Sequence, residues 1–134
     1  MRIVLDTNVF VSGVFFSGAP NQILNAWQLG EFELAASQEI LDEYLRVGKE
    51  LAKEHPVIDL EPMINFVLEH ATIFKPVILK EPVCEDPDDD KFFACALACG
   101  GKVIVSGDKH LLKVSGYLGI DVLKPREFVD KFLS

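Results

Sequence analysis

The sequence predicts a three-layer α/β/α domain with a central, mostly parallel sheet of about five strands. Two observations lead to this fold class. The runs 2–6, 103–105 and 120–123 are short, apolar and rich in β-branched residues, as strands buried on both faces are. Helical patterns lie between them, and such alternation is typical of parallel sheets. The chain of 134 residues is long enough for one domain with its own core, and we expect residues 1–134 to form it.

The other elements are predicted from local signals. Two weaker strand candidates, 32–36 and 72–74, complete the sheet. Pro20 suits the first turn of a helix, and Ser37 suits an N-cap. The longest irregular connection is the proline-rich, charged stretch 75–90, which lies inside the domain. The predicted helices are 20–29, 38–53, 60–71, 89–99 and 126–133.

Composition argues against membrane insertion and against a broad basic surface for nucleic acid. No stretch reaches the ~18 uninterrupted apolar residues of a membrane span, and no export signal precedes the first strand, so we expect a cytoplasmic protein without a membrane partner. The formal net charge is −8. This charge does not exclude a nuclease, because two bound divalent cations would change −8 to −4.

The cysteines are predicted to be reduced thiols. Cys84, Cys95 and Cys99 are odd in number and lack the paired spacing of a zinc site. Cys95 and Cys99 lie one helical turn apart and could share a soft metal ion. A helix face rich in alanine, cysteine and phenylalanine is more often part of a core, and we favour that interpretation.

Acidic residues stand where the predicted strands and helices would direct them to one pocket. Asp6 and Asp108 follow strands, and ligands gather beyond the carboxyl ends of parallel strands where the strand order reverses. Several carboxylates in one place repel one another, so they either take up protons or hold a cation. A divalent metal site is therefore the leading hypothesis. Its candidate ligands are Asp6, Glu43, Asp90 and Asp108.

Each candidate has a competing structural explanation. Asp6 and Asp108 could simply cap the helices that follow them. Glu43 borders the apolar face of helix 38–53, although most glutamates in such positions are solvated. Asp90 ends a run of four acids within five residues, whereas capping and the helix dipole require only one acid. A cation-binding or catalytic role for at least one acid of this run is the better explanation.

The segments that carry these acids resemble the PIN domain family. They are residues 1–10 (MRIVLDTNVF), Glu43 in a leucine-rich helix, 86–92 (DPDDDKF) and 105–108 (VSGD), in the family's order over nearly the whole chain. The likeness is strongest to prokaryotic PIN proteins grouped with the toxin components of toxin–antitoxin pairs. It implies a Mg²⁺- or Mn²⁺-dependent ribonuclease with a parallel sheet. Its implied catalytic and metal-binding acids are Asp6, Glu43, Asp90 and Asp108.

The resemblance also implies accessory residues. Asn8 and Ser106 match polar positions beside the acids. Many relatives carry another acid two residues after the position of Asp108, where this chain has His110, so the role of His110 stays open. Three basic residues lie near the acids in sequence, and we expect them to be solvated surface charges. They are Arg46, Lys91 and Lys109.

The function that follows is hydrolysis of single-stranded RNA by the toxin component of a toxin–antitoxin pair. Hard oxygen ligands suit Mg²⁺ or Mn²⁺, which can activate water and neutralise phosphate charge. The alternative is a non-catalytic PIN module that holds metal or RNA within a complex. An aspartyl phosphatase is disfavoured, because Asn8 stands where that chemistry needs a second aspartate. A phosphoacceptor receiver is disfavoured as well, because its acidic pair is missing.

The predicted partners are RNA, an antitoxin protein and a second copy of the chain. Val9-Phe10-Val11 and Val14-Phe15-Phe16 place three phenylalanines close to Asp6. We favour a core position for them, and a dimer or antitoxin surface is the alternative.

Overall fold

A computed structural model describes residues 1–133. Within them, five strands form one sheet in the order β3-β2-β1-β4-β5, and every strand pair is parallel. Helices pack on both faces. The prediction of a three-layer α/β/α domain with about five strands is confirmed. The strands are Arg2–Leu5 (β1), Glu33–Ala36 (β2), Thr72–Ile73 (β3), Val103–Val105 (β4) and Asp121–Leu123 (β5).

The predicted helices are present, with ends shifted by one or two residues. Ser37 caps its helix, because its Oγ accepts a hydrogen bond from the backbone of Ile40 at 3.3 Å. Val129–Leu133 continue the last helix as a π-helical turn. The helices are Thr7–Phe15 (α1), Ala19–Gln28 (α2), Gln38–Glu54 (α3), Glu61–His70 (α4), Asp90–Cys99 (α5), Lys109–Leu112 (α6) and Pro125–Phe128 (α7).

Helix α1 is absent from the sequence prediction. Its residues Val9, Phe10, Val11 and Phe15 are all buried, so its sequence lacks the polar face that marks an amphipathic helix. The favoured core position of these side chains is correct. Phe16 differs from them, because 48% of its surface is exposed.

The strand order reverses beside β1. The chain passes from β1 to β2 and then β3 on one side, and returns to place β4 and β5 on the other. Ile3 consequently pairs with Leu34 of β2 and with Val103 of β4. The pairing with β4 continues past both strands, since the backbone of Asp6 donates a hydrogen bond to the carbonyl of Val105 at 3.0 Å. The carboxyl ends of β1 and β4 therefore open into one crevice.

An aromatic contact attaches helices α1 and α3 to the end of β1. The rings of Phe10 and Tyr44 stack with their centroids 4.3 Å apart. The Tyr44 hydroxyl donates a hydrogen bond to the Leu5 carbonyl at 2.5 Å, one residue before Asp6. This contact places the neighbouring Glu43 beside the crevice.

All three cysteines are free and buried. Burial raises the pKa of both Cys84 and Cys95 to about 12, so their thiols are protonated near neutral pH. Cys95 and Cys99 lie in the core, as the favoured interpretation of that helix face predicts. Among residues 1–133, no helix has the length and apolar character required to cross a membrane.

Gly13 lies where α1 and α2 approach most closely. A Cβ atom at this position would stand 2.7 Å from the carbonyl oxygen of Pro20, so we expect Gly13→Ala to lower the free energy of unfolding by about 1–3 kcal/mol. Gly48→Ala is the matched control. Its Cβ would meet a methyl group of Leu60 at 3.2 Å, and the gain in helix propensity of about 1 kcal/mol offsets that contact. Urea denaturation measures both, and equal losses would contradict the prediction.

Candidate functional site

Asp6 lies at the carboxyl end of β1 with 5% of its surface exposed. Its Oδ2 accepts a hydrogen bond from the hydroxyl of Ser106 at 2.6 Å, and the Ser106 oxygen accepts one from the backbone of Asp108 at 2.9 Å. Ser106 is fully buried. The structure therefore brings Asp6, Ser106 and Asp108 together at the point where the strand order reverses.

Helix capping explains only part of the placement of Asp6 and Asp108. The side chain of Asp6 accepts its close hydrogen bond from Ser106, and the backbone of Asn8 in the first turn of α1 contributes a weaker interaction that lowers the pKa of Asp6. Asp108 does cap α6, because its Oδ1 accepts a hydrogen bond from the backbone of His110 at 2.7 Å. Its Oδ2 has no hydrogen-bond partner within residues 1–133. Both residues retain carboxylate oxygens that could hold a cation.

Glu43 reaches the same region from α3, with 16% of its side chain exposed. Its Oε1 accepts a short hydrogen bond from the hydroxyl of Thr7, the residue that follows Asp6. Its Oε2 lies 2.8 Å from the Nζ atom of Lys91. Glu43 therefore stands next to Asp6, but both of its oxygens already have partners.

The expectation that Lys91 is a solvated surface charge is wrong. Only 4% of its side chain is exposed. Burial by itself lowers the pKa of Lys91, but hydrogen bonds to Glu43 and Asp88 outweigh burial and hold that pKa above its usual value. A partial signal for this position exists in the sequence: the residues after Lys91 are apolar on every side of α5, although Asp90 in the same turn is only half-buried.

Asp90 points to the preceding loop. Its Oδ1 accepts a hydrogen bond from the backbone of Cys84 at 2.8 Å, and its Oδ2 accepts a longer one from Val83 at 3.3 Å. Two other members of the acidic run also have local partners. Asp86 caps the 3₁₀ turn Pro87–Asp89, and Asp88 pairs with Lys91 at 3.1 Å.

Asp89 is the member of the acidic run whose pKa responds to Asp6 and Asp108, and the sequence did not single it out. Burial, followed by the carboxylates of Asp108, Asp86 and Asp6, raises the pKa of Asp89 to about 6. Burial likewise raises the pKa of Asp6, with smaller contributions in the same direction from Asp108 and Glu43, while the hydrogen bond from Ser106 lowers it. The carboxylates of Asp6 and Asp108 thus both raise the pKa of Asp89, and that of Asp108 also raises the pKa of Asp6.

The chemistry of these oxygen donors fits a hard divalent cation, which would relieve their repulsion. The candidates for such a site are the three carboxylates linked by these effects on pKa, namely those of Asp6, Asp89 and Asp108. Their present arrangement is not a complete site: within residues 1–133, no group of three histidine, cysteine, aspartate or glutamate side chains is positioned to hold a metal ion. Glu43 and Asp90 could join such a site through the remaining lone pairs of their oxygens, although their present partners restrict how far each side chain can turn.

A model of the PIN domain family matches residues 2–110, which include the first four strands and every acid described above. The chain belongs to the PIN domain family. The resemblance predicted from the sequence is therefore confirmed at the level of the family. PIN domains are generally nucleases and typically use divalent metal ions, so this PIN domain is a nuclease-type module that acts on nucleic acid. No curated protein matches the chain.

The accessory positions of this PIN domain differ in their surroundings. Ser106 is central, whereas Asn8 is exposed on the first turn of α1. His110 lies at the surface, where its Nδ1 is 3.1 Å from the carboxylate of Glu85. Lys113 contacts the same carboxylate at 2.7 Å and lowers the pKa of Glu85. His110 therefore links α6 to the connection 75–90.

The raised pKa of Asp89 predicts how the stability of this PIN domain depends on pH. A carboxyl whose pKa rises from 3.8 to about 6 on folding stabilises the protein while protonated, and this contribution is lost as the pH rises through that interval. Asp89→Asn removes the repulsion, so in the presence of a chelator it should raise the Tm by roughly 2–4 °C at about pH 7. At about pH 4 the two proteins should melt almost together. Melting curves that differ equally at both pH values would contradict this.

Proposed function

We propose that this PIN domain is a Mg²⁺- or Mn²⁺-dependent endoribonuclease that hydrolyses phosphodiester bonds in single-stranded RNA. The observation that carries the proposal is the buried Asp6 joined through the buried Ser106 to the half-buried Asp108, where the strand order reverses. A bound cation would stabilise the charge of a buried carboxylate whose neighbours are also acidic. RNA as the substrate is supported by the resemblance of the acidic segments to prokaryotic PIN ribonucleases.

In this proposal Asp6 and Asp108 hold the cation, and Glu43 and Asp90 complete the catalytic acids. Bound Mg²⁺ or Mn²⁺ supplies the polarisation that activates water and stabilises charge on the phosphate. Ser106 orients Asp6 by donating to Oδ2. Thr7 orients Glu43, and the backbone of residues 83–84 orients Asp90. The electrostatics of Asp89 make it a further candidate ligand.

The central test is the loss of activity in Asp6→Asn. We expect cleavage of single-stranded RNA only when Mg²⁺ or Mn²⁺ is added, and a loss on the order of 100-fold or more in the variant, because its neutral amide binds a hard cation poorly. Asp42→Asn is the matched control, since Asp42 is an exposed acid on α3. Initial rates on a labelled RNA measure both variants. Full activity of Asp6→Asn, in protein free of contaminating nuclease, would disprove the mechanism.

A second candidate function is a non-catalytic module that binds metal or RNA within a complex. It is favoured by one observation, namely that all oxygens of Glu43 and Asp90 already have partners. One experiment distinguishes the endoribonuclease from the non-catalytic module. Tight Mn²⁺ binding without cleavage of any RNA or DNA would support the module.

We further propose that the protein acts in the cytoplasm as the toxin component of a toxin–antitoxin pair, which is supported by the likeness of its motifs to that group. The expected result is that a small protein encoded beside it co-purifies with it and blocks RNA cleavage. A co-expressed neighbour that neither binds nor inhibits would contradict this proposal.

A further inference from the structure

Lys91 is a buried cation with every donor engaged. Its Nζ lies 2.8 Å from Oε2 of Glu43 and 3.1 Å from Oδ1 of Asp88, and it donates to the Asp88 carbonyl at 2.6 Å. A lysine ammonium has three protons, and these three acceptors account for them. Lys91 therefore has no proton left for a substrate phosphate.

The stability of α5 does not explain this position. Lys91 occupies the first turn of the helix, where the dipole disfavours positive charge. Removing an ammonium from water is also costly unless it is paired and hydrogen-bonded. Its partners are Asp88 and Glu43, and Glu43 is hydrogen-bonded to Thr7 beside Asp6, so the position of Lys91 is linked to the acidic centre through Glu43.

This contact restricts Glu43. One of its oxygens accepts from Thr7 and the other lies against Lys91. If Glu43 turned to coordinate a cation, the ammonium of Lys91 would stay buried without its closest partner. Arg46 could not take the place of Lys91, because it lies 3.9 Å from Glu43 and 62% of its side chain is exposed.

We propose that Lys91 is a built-in cation that takes the place of a second metal ion by holding Glu43 out of direct coordination. The centre then binds one divalent cation per chain, at Asp6 and Asp108. Lys91 is a positioning residue, since it acts through Glu43 and does not contact the reacting atoms. This inference rests on the proposed function in one respect, which is that Asp6 and Asp108 are the ligands of the divalent cation.

Calorimetric titration of metal-free full-length protein with Mn²⁺ tests the inference. We expect the wild type to bind one ion per chain and Glu43→Gln to bind it with an affinity within about threefold of the wild type, whereas Asp6→Asn, which removes a proposed ligand, should lose about tenfold or more. Lys91→Met frees Glu43 and should either admit a second ion or tighten binding by about tenfold. The double variant Glu43→Gln/Lys91→Met should lose that gain.

Lys109→Met is the control for net charge. Lys109 is exposed beside Asp108, so its loss removes the same charge without freeing a carboxylate. A similar gain in Lys109→Met would overturn the inference, as would unchanged or weaker Mn²⁺ binding in Lys91→Met. A merely structural lysine would lower the Tm of the metal-free protein without altering either the number of ions bound or their affinity.

The inference and the proposed function fail in different ways. If Lys91→Met does not fold, Glu43→Gln alone tests the inference. A loss of Mn²⁺ affinity in Glu43→Gln as large as that in Asp6→Asn would overturn the proposed role of Lys91. A wild type that binds two ions and loses one in Glu43→Gln overturns this inference and leaves the nuclease proposal intact. A wild type that binds no Mn²⁺ overturns both.

Discussion

The parallel pairing of β1 with β4 is the interaction on which the rest of the site depends. Asp6 and Ser106 are 100 residues apart in sequence, and they meet because the strands that precede them run side by side in register. The backbone hydrogen bond from Asp6 to Val105 extends this register to the first residue of the crevice. A shift of one residue would turn the carboxylate of Asp6 toward the opposite face of the sheet. The geometry of the acids is thus determined by the register of buried, apolar strands.

The second constraint is charge. Asp6, Asp89 and Asp108 oppose one another at a partly enclosed crevice, and folding places them there despite the electrostatic cost. The protein reduces that cost locally. Ser106 donates to Asp6, the backbone of residues 83–84 donates to Asp90, and Lys91 neutralises Glu43. Glu43 and Asp90 have partners at both of their oxygens, whereas the hydrogen bonds to Asp6 and Asp108 leave one oxygen of each without a side-chain donor, and this difference is the reason to assign them different roles.

Most of the fold could be predicted from the sequence, because buried parallel strands and capped amphipathic helices each carry a local signal. Helix α1 could not, since a helix with so few exposed residues lacks a clear amphipathic pattern. At the site, the positions of Asp6 and Asp108 could be predicted, because each follows a strand and ligand sites form where the strand order reverses. The ion pair of Lys91 with Glu43 could not, because it depends on how the first turn of α5 packs against α3, a contact between segments far apart in sequence. The influence of Asp6 and Asp108 on Asp89 could not either, since it depends on the same tertiary packing.

The outermost strands of the sheet are very short. Strand β3 is two residues long and β5 is three, so each offers few backbone groups to an approaching chain. Lateral growth of the sheet by addition of a foreign strand therefore has little to build on, and this limits edge-to-edge association. A protein that binds this domain tightly would gain more from its helical faces, where exposed apolar side chains such as Leu29 and Leu68 offer contact area.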